Sequence, residues 1–421
     1  MSALSIINAR LIDPASGRDE EGGIICEDGK IAEIGDIVPR GDIVDAGGLI
    51  LAPGLIDMRV RTGEPGLENR ETLLTASKAA VAGGVTSIVL MPETDPVIDD
   101  ISLVDYLIRK GTDLPIDIHI AGALTKKLDG KSLTEIGLMR EAGAVLFSNG
   151  SEPIRDAQTM RRLMSYAANF NALIANRAVE PSLSEGTVAH ESNLSSRLGL
   201  NAAPAISERI MAERDIALAE LTGGRLLIDL IASKDALEAV KTAKAKDLDV
   251  YSSVSINHLC LNEVDIGDYR SFAKLDPPLR EESDRLALLE GVNRGEIDII
   301  VSDHDPRPAG EKRLPYSEAA PGAVGLELLL AAGLSQVADG YLDLSAFLAA
   351  VTCHPAELLG LETGRLKQDS PANLVLIDPN KPWVCESSQL KSRSKNTPFD
   401  GRRLTGRAIK TFYQGREVFS L

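Results

Sequence analysis

Histidine is scarce in this chain, with 5 in 421 residues. His119, His190, His258, His304 and His354 show no H-x-H or H-x-x-x-H spacing, so a zinc centre rebuilt from paired histidines is not expected. Cysteine is sparse as well. Cys26, Cys260, Cys353 and Cys385 lie far apart and form no C-x-x-C, the pattern of reduced thiols in a cytoplasmic protein. Basic residues are outnumbered 45 to 62, for a formal net charge of −17. That balance excludes general affinity for nucleic acid or for an anionic membrane. No apolar run approaches the ~20 residues of a spanning helix. The opening residues lack a basic region followed by a long apolar core, so no signal peptide is expected.

What is present describes an ordinary globular protein, 44% hydrophobic and 25% charged. The length exceeds one average domain but suits a large α/β barrel with additions. Short β segments are read at 4–7, 23–26, 31–34 and 43–45, and again at 372–378 and 408–413, with a closing hairpin over 414–418. Both ends are therefore β, which predicts a small β-sandwich built from residues 1–53 plus 365–421. Between them, apolar runs at 55–61, 87–93, 116–122, 144–149, 172–177, 225–231, 249–255 and 298–303 alternate with helical spacing at 72–82, 157–168, 206–221, 234–246 and 282–294. Near-continuous Val/Ile/Leu strands suit a parallel sheet buried on both faces. Eight such units predict an α/β fold, a (β/α)8 TIM barrel over residues 54–364. The Pro- and charge-rich stretch 307–317 and the stretch 387–398 are expected to be flexible.

One stretch organises the chain: Pro53-Gly54-Leu55-Ile56-Asp57-Met58-Arg59-Val60-Arg61. Residues two apart on a strand share a face, so Arg59 and Arg61 should point the same way. Two guanidiniums side by side stay charged. They suit an anion or a carboxylate partner and repel a cation.

This stretch resembles the opening of the dihydroorotases, in the amidohydrolase superfamily. There the strand reads Pro-Gly-x-Ile-Asp-x-His-x-His and the two histidines hold catalytic zinc. Further landmarks are similar: Ala82-Gly83-Gly84-Val85-Thr86, Met91-Pro92-Glu93-Thr94-Asp95-Pro96, Pro277-Pro278-Leu279-Arg280 before Asp284-Arg285, and Asn396-Thr397-Pro398-Phe399. Together they span almost the whole chain. The resemblance implies a hydrolytic site at the strand ends, and the residues found there have changed. Arg59 and Arg61 stand at the two histidines. The bridging acid after strand four falls on Asn149 or Gly150. Arg177, or Asn176 by one residue, stands at the strand-five histidine, and Leu230 at that of strand six. Strand eight reads Asp303-His304-Asp305-Pro306-Arg307, where Asp303 corresponds to the family's catalytic base and ligand and Arg307 replaces a histidine. Positions that grip substrate in the family read Gly63, Glu93 and Asp276.

A dihydroorotase needs a metal-bound hydroxide acting at an amide carbonyl. One carboxylate holds a divalent ion poorly, and each arginine at ~4 Å opposes each of its two charges by about 4 kcal/mol at an effective dielectric near 20. The expectation is therefore no metal, no catalytic residue beyond a vestigial Asp303, and Asp303 paired to Arg59, Arg61 or Arg177. His119 is expected in the core or at its edge, His190 at the surface, and His258 and His354 in structural roles. The arginines are read as a salt-bridged core, with an anion site as the alternative. The resemblance is nearest to non-catalytic dihydroorotase homologues that assemble with aspartate carbamoyltransferase in pyrimidine synthesis, through Gly122-Ala123-Leu124-Thr125 and Ser148-Asn149-Gly150. It implies a cytoplasmic homo- or hetero-oligomer. The alternative is an active cyclic-amide hydrolase with one weakly bound zinc at Asp303.

Overall fold

The N-terminal segment forms β1 (Leu4–Asp13), β2 (Arg18–Glu27), β3 (Lys30–Gly35), β4 (Asp42–Asp45) and β5 (Ile50–Pro53). The barrel strands follow as β6 (Leu55–Val60), β7 (Val85–Leu90), β8 (Asp117–Ala123), β9 (Ala144–Ser148) and β10 (Leu173–Arg177). A short pair, β11 (Ala189–His190) and β12 (Ala202–Ala203), precedes β13 (Arg225–Asp229), β14 (Val250–Ser255) and β15 (Ile299–Val301). The C-terminal segment adds β16 (Leu374–Val384), β17 (Arg403–Tyr413) and β18 (Arg416–Ser420). The structure is a computed structural model and describes residues 3–421.

The eight barrel strands pair in parallel in the order β6-β7-β8-β9-β10-β13-β14-β15. The two ends of that row meet just beyond β15, where the Arg61 amide donates to the His304 carbonyl at 2.9 Å. The chemically unusual residues of β6 and of the 303–307 segment therefore lie at the seam of the barrel. Inside, Met58, Val89, Ala121, Leu146, Leu173, Leu227, Ile299 and Val301 fill the space. The barrel is thus a packed core with its chemistry confined to the strand ends.

Helices Leu73–Ala82, Ala157–Ala168, Ile206–Thr222, Lys234–Lys244 and Glu282–Asn293 fall where the periodicity places them. In Ala157–Ala168 the Asp156 side chain accepts from the Thr159 amide at 2.7 Å and caps the first turn. Met160, Leu163, Met164 and Ala167 then form the one buried stripe. Among the described residues no helix is long and apolar enough to cross a membrane. The four cysteines are free thiols.

The two termini share one continuous sheet, in the order β18-β17-β16-β5-β1-β2-β3 with β4 on β1. Strand β5 was not anticipated, because its four buried residues read as an apolar lead-in to the Pro-Gly turn. In that order β17 and β3 lie far apart, yet Ile24 and Ile31 share a core with Leu374 and Phe412. The Ile31 amide also donates to the Ser370 carbonyl at 2.9 Å. The sandwich is accordingly one sheet folded over on itself. It docks on the barrel through Thr411, whose hydroxyl donates to Val81 O at 2.6 Å, and Tyr413, which donates to Asp117 at 2.8 Å.

Neither stretch expected to be flexible is loose. Residues 307–317 include the short helix Ala309–Lys312, and Lys312 is buried, donating to the carbonyls of Lys274, Ala320 and Gly322 at 3.3, 2.8 and 3.1 Å. Across 387–398, the Ser392 hydroxyl and Arg393 amide both donate to Glu71, and the Asn396 amide donates to Asp305 O at 3.1 Å and Gly322 O at 3.0 Å. Polar composition was read as flexibility, but these polar groups satisfy buried partners across the barrel mouth.

Gly84, in the Gly-Gly pair that follows Leu73–Ala82, has φ of +79°, and a Cβ there would lie 2.7 Å from Val375 Cγ2. Gly84→Ala is expected to destabilise the chain by about 1–3 kcal/mol through left-handed strain and overpacking. A urea midpoint equal to that of the parent chain would contradict this close apposition.

Candidate functional site

Alternation carries Arg59 and Arg61 to the same end of the barrel, where each is met by carboxylates. Arg59 is 2% exposed. Its Nε donates to Asp303 Oδ1 at 3.0 Å and its Nη1 donates to Asp229. Arg61 donates through Nε to Glu93 Oε2 at 2.8 Å, through Nη1 to Asp305 Oδ2 at 2.9 Å, and through Nη2 to the Ser151 hydroxyl at 2.7 Å. Arg307 completes the set, donating to the same Asp305 oxygen at 2.8 Å. Three arginines thus face four carboxylates in two adjoining sets, a buried one around Arg59 and a partly buried one around Arg61, which together tie β6 to the ends of β7, β13 and β15.

The electrostatics follow from burial and pairing together. Burial opposes the Arg61 charge, but Glu93 and Asp305 overcome it and hold its pKa well above the ordinary value. Burial likewise works against the Asp305 carboxylate, and Arg61 with Arg307 still brings its pKa below the usual range. Asp303 differs: burial raises it to about 7 against the attraction of Arg59 and Arg61. Asp303 also has φ of +50° and Leu230 of +57°, a conformation uncommon for residues other than glycine. Both stand where a strand ends and turns away.

The other anticipated positions separate into three places. Arg177 shares no bond with the central network; it donates to Leu230 O at 3.3 Å and to Asp276 Oδ1 at 3.2 Å. Leu230 itself packs into the apolar interior beside Met58 and Leu227. Asn149 accepts from the amides of Leu124 and Thr125, both at 3.1 Å, and so fastens the end of β8. Gly150 is the position that faces the network, because a Cβ there would lie 2.0 Å from the Glu93 carboxyl carbon. Glu93 has filled the space a side chain at 150 would need. Gly63 has φ of +81°, and a Cβ there would lie 2.6 Å from Leu67 O, so an arginine does not fit at that turn. Asn176, the neighbour of Arg177, accepts from the Ile154 amide at 3.2 Å and donates to Asp215 at 2.6 Å.

Some functional contacts escaped the sequence reading. Asp229 was passed over in favour of Leu230, although it lies two residues from Leu227 and therefore on the same, inward face. Asp305 was read only as a spacer in the strand-eight motif. His190 is a correction: it was expected at the surface and is 7% exposed. The β11–β12 pair folds its loop inward, and His190 Nδ1 accepts from Arg280 Nη1 at 3.0 Å. Arg280 also pairs with the buried Glu208. His258 bonds the Pro277 carbonyl at 3.1 Å and His354 the Asp298 carbonyl at 3.1 Å. His119 is half-buried on β8. His304 accepts from the Gly325 amide at 3.1 Å, with its Nε2 3.5 Å from Glu71.

Comparison with known proteins bears on the same chain. Residues 48–236 match the family model described as dihydro-orotase-like, and residues 209–418 that of the amidohydrolase family. A dihydroorotase of Pelobacter propionicus is 38% identical over 420 residues, covering 99% of each chain. The chain belongs to the dihydroorotase-like family. A dihydroorotase of Desulfotalea psychrophila is 39% identical over 411 residues, covering 97% of this chain and 98% of that one. Among solved structures, the L-hydantoinase of Arthrobacter aurescens superposes with a TM-score of 0.90 at 25% identity, covering 100% of this chain and 96% of that one.

Zinc, which the dihydroorotase resemblance implies here, does not fit these donors. Arginine has no lone pair to offer, and the carboxylates of Asp303 and Asp229 already accept from Arg59. Leu230 supplies no donor. Among the described residues no group of three or more His, Cys, Asp or Glu is placed to hold a metal ion.

Two variants test the network and its surroundings. Arg59→Met leaves Asp229 and Asp303 buried without their shared countercharge, and is expected to lower stability by about 3–5 kcal/mol. An unfolding midpoint unchanged by it would contradict the pairing. Burial, with Arg280 adding to it, holds the His190 imidazole down at about 4. Burial holds His258 at about 4 as well, with Glu208 opposing and Arg177 adding to it. Unfolded histidines protonate near the ordinary 6.5. Between about pH 6.5 and 4 the unfolded chain therefore binds more protons. The stabilisation is whole above that window and lost as pH falls through it. His258→Asn should make the acid dependence of the unfolding free energy shallower by about one proton; equal slopes would mean His258 is not held neutral.

Proposed function

We propose that this member of the dihydroorotase-like family is non-catalytic and serves pyrimidine biosynthesis as a structural or regulatory partner of aspartate carbamoyltransferase. The observation that carries the first half is the guanidinium of Arg59, fixed between Asp229 and Asp303 at the place where the family puts zinc-binding histidines. Hydrolysis of a cyclic amide in this family calls for a metal-bound hydroxide, and the donors present are engaged with arginine. The barrel and its folded-over terminal sheet are complete, which is what a scaffold requires. The partner half rests on the resemblance carried by Gly122-Ala123-Leu124-Thr125 and Ser148-Asn149-Gly150.

A second reading has one specific support. Relatives 38% and 39% identical over nearly their full length carry the name dihydroorotase, which favours an active hydrolase with a single ion at Asp303. Fold-level kinship does not by itself fix activity. Gel filtration of the chain mixed with aspartate carbamoyltransferase at about micromolar concentration should give one early-eluting complex. Independent elution of the two would remove the scaffold. Protein purified without chelator should carry far less than stoichiometric zinc and should not interconvert dihydroorotate and carbamoyl-aspartate. Stoichiometric zinc with turnover would instead establish the hydrolase.

A further inference from the structure

Beside the central ion network, a cavity of about 300 Å3 opens at the ends of β9 and β10. Its wall brings Arg177 and Lys274 together with the apolar side chains of Val179, Leu275 and Pro278. Arg177 and Lys274 are 2% and 6% exposed. Neither charge is fully answered. Arg177 shares its guanidinium with a carbonyl and with Asp276, whose side chain is 42% exposed, and its Nε finds no acceptor. Lys274 forms no ion pair among the described residues. Its Nζ donates to Ser317 O at 3.0 Å and lies 5.7 Å from the Tyr316 ring centroid. Burial alone pushes the Lys274 ammonium below its ordinary value, with no carboxylate holding it up. The remaining buried cation of the wall, Arg280, is already engaged by Glu208 and His190.

A buried cation without a countercharge, beside a second one only partly answered, is unfavourable unless an anion joins them. The apolar part of the wall favours a ligand with an organic body, as in small-molecule sites generally. Rim acids disfavour a doubly charged ligand: Asp276, Glu152 and Glu185 all border the cavity. We propose that this cavity binds a small organic anion, its single carboxylate held between Arg177 and Lys274 and its apolar body against Val179, Leu275 and Pro278. Gly63, Glu93 and Arg307, where the family resemblance puts substrate, do not line the cavity, although Ser151, which accepts from Arg61, borders it. Of those substrate positions only Asp276 borders it, and there it acts as an internal competitor for Arg177.

That competition gives the test its second direction. Titration calorimetry of the full chain at constant ionic strength should show benzoate binding with a stoichiometry of one, acetate binding more weakly, and inorganic phosphate binding weakest. Lys274→Gln should weaken benzoate binding about tenfold or more, as expected for loss of a charge-assisted hydrogen bond. Asp276→Asn, which places the family's own residue at that position, should strengthen it several-fold by freeing Arg177. No benzoate binding up to about 10 mM, phosphate binding more tightly than benzoate, or Lys274→Gln binding as the parent does would each overturn the proposal. If Lys274→Gln does not fold, Asp276→Asn decides, and binding that is equal or weaker overturns it.

Discussion

One guanidinium holds the mouth of this barrel together. Arg59 leaves β6, reaches Asp229 at the end of β13 and Asp303 just past β15, and is buried while it does so. An arginine cannot lose its proton there, so the two acids must stay near it and the strand ends must stay near each other. A fixed organic cation thus cross-links the ends of three strands through two carboxylates.

The consequences run outward from the seam. Arg61 stands one pleat beyond Arg59 and needs its own acids, which Glu93 and Asp305 supply. Glu93 can approach only because residue 150 has no side chain. Asp305 in turn engages Arg307, and the Asp305 carbonyl is held by Asn396 from the strap that crosses the mouth. A buried ion pair is weak support for stability on its own. Taken together, these pairs connect the ends of β6, β7, β13 and β15 across the mouth.

Much of this was legible beforehand. Eight Val/Ile/Leu runs separated by helical spacing announced the barrel, because a strand buried on both faces must be apolar along its length. The pair Arg59 and Arg61 was legible for a similar reason, since a period of two puts both on one face. Other readings failed where meaning came from another part of the chain. Asp229 looked like the polar end of an apolar run until Arg59 was seen 170 positions away in sequence. His190 looked exposed and the 387–398 strap looked flexible because they are polar, and His190, Ser392 and Asn396 are inside because distant polar groups receive them.

The sequence by itself determined the fold class, the β character of both ends, and that Arg59 and Arg61 share one face of their strand, because each depends on residue type and local spacing. Only the tertiary structure decided which acid answers each arginine, that Gly150 is the vacancy Glu93 fills, and that Arg177 belongs to a separate cavity with Lys274. Those facts depend on which strand ends the closed barrel brings within hydrogen-bond reach. Local spacing cannot encode distances between residues that are far apart along the chain.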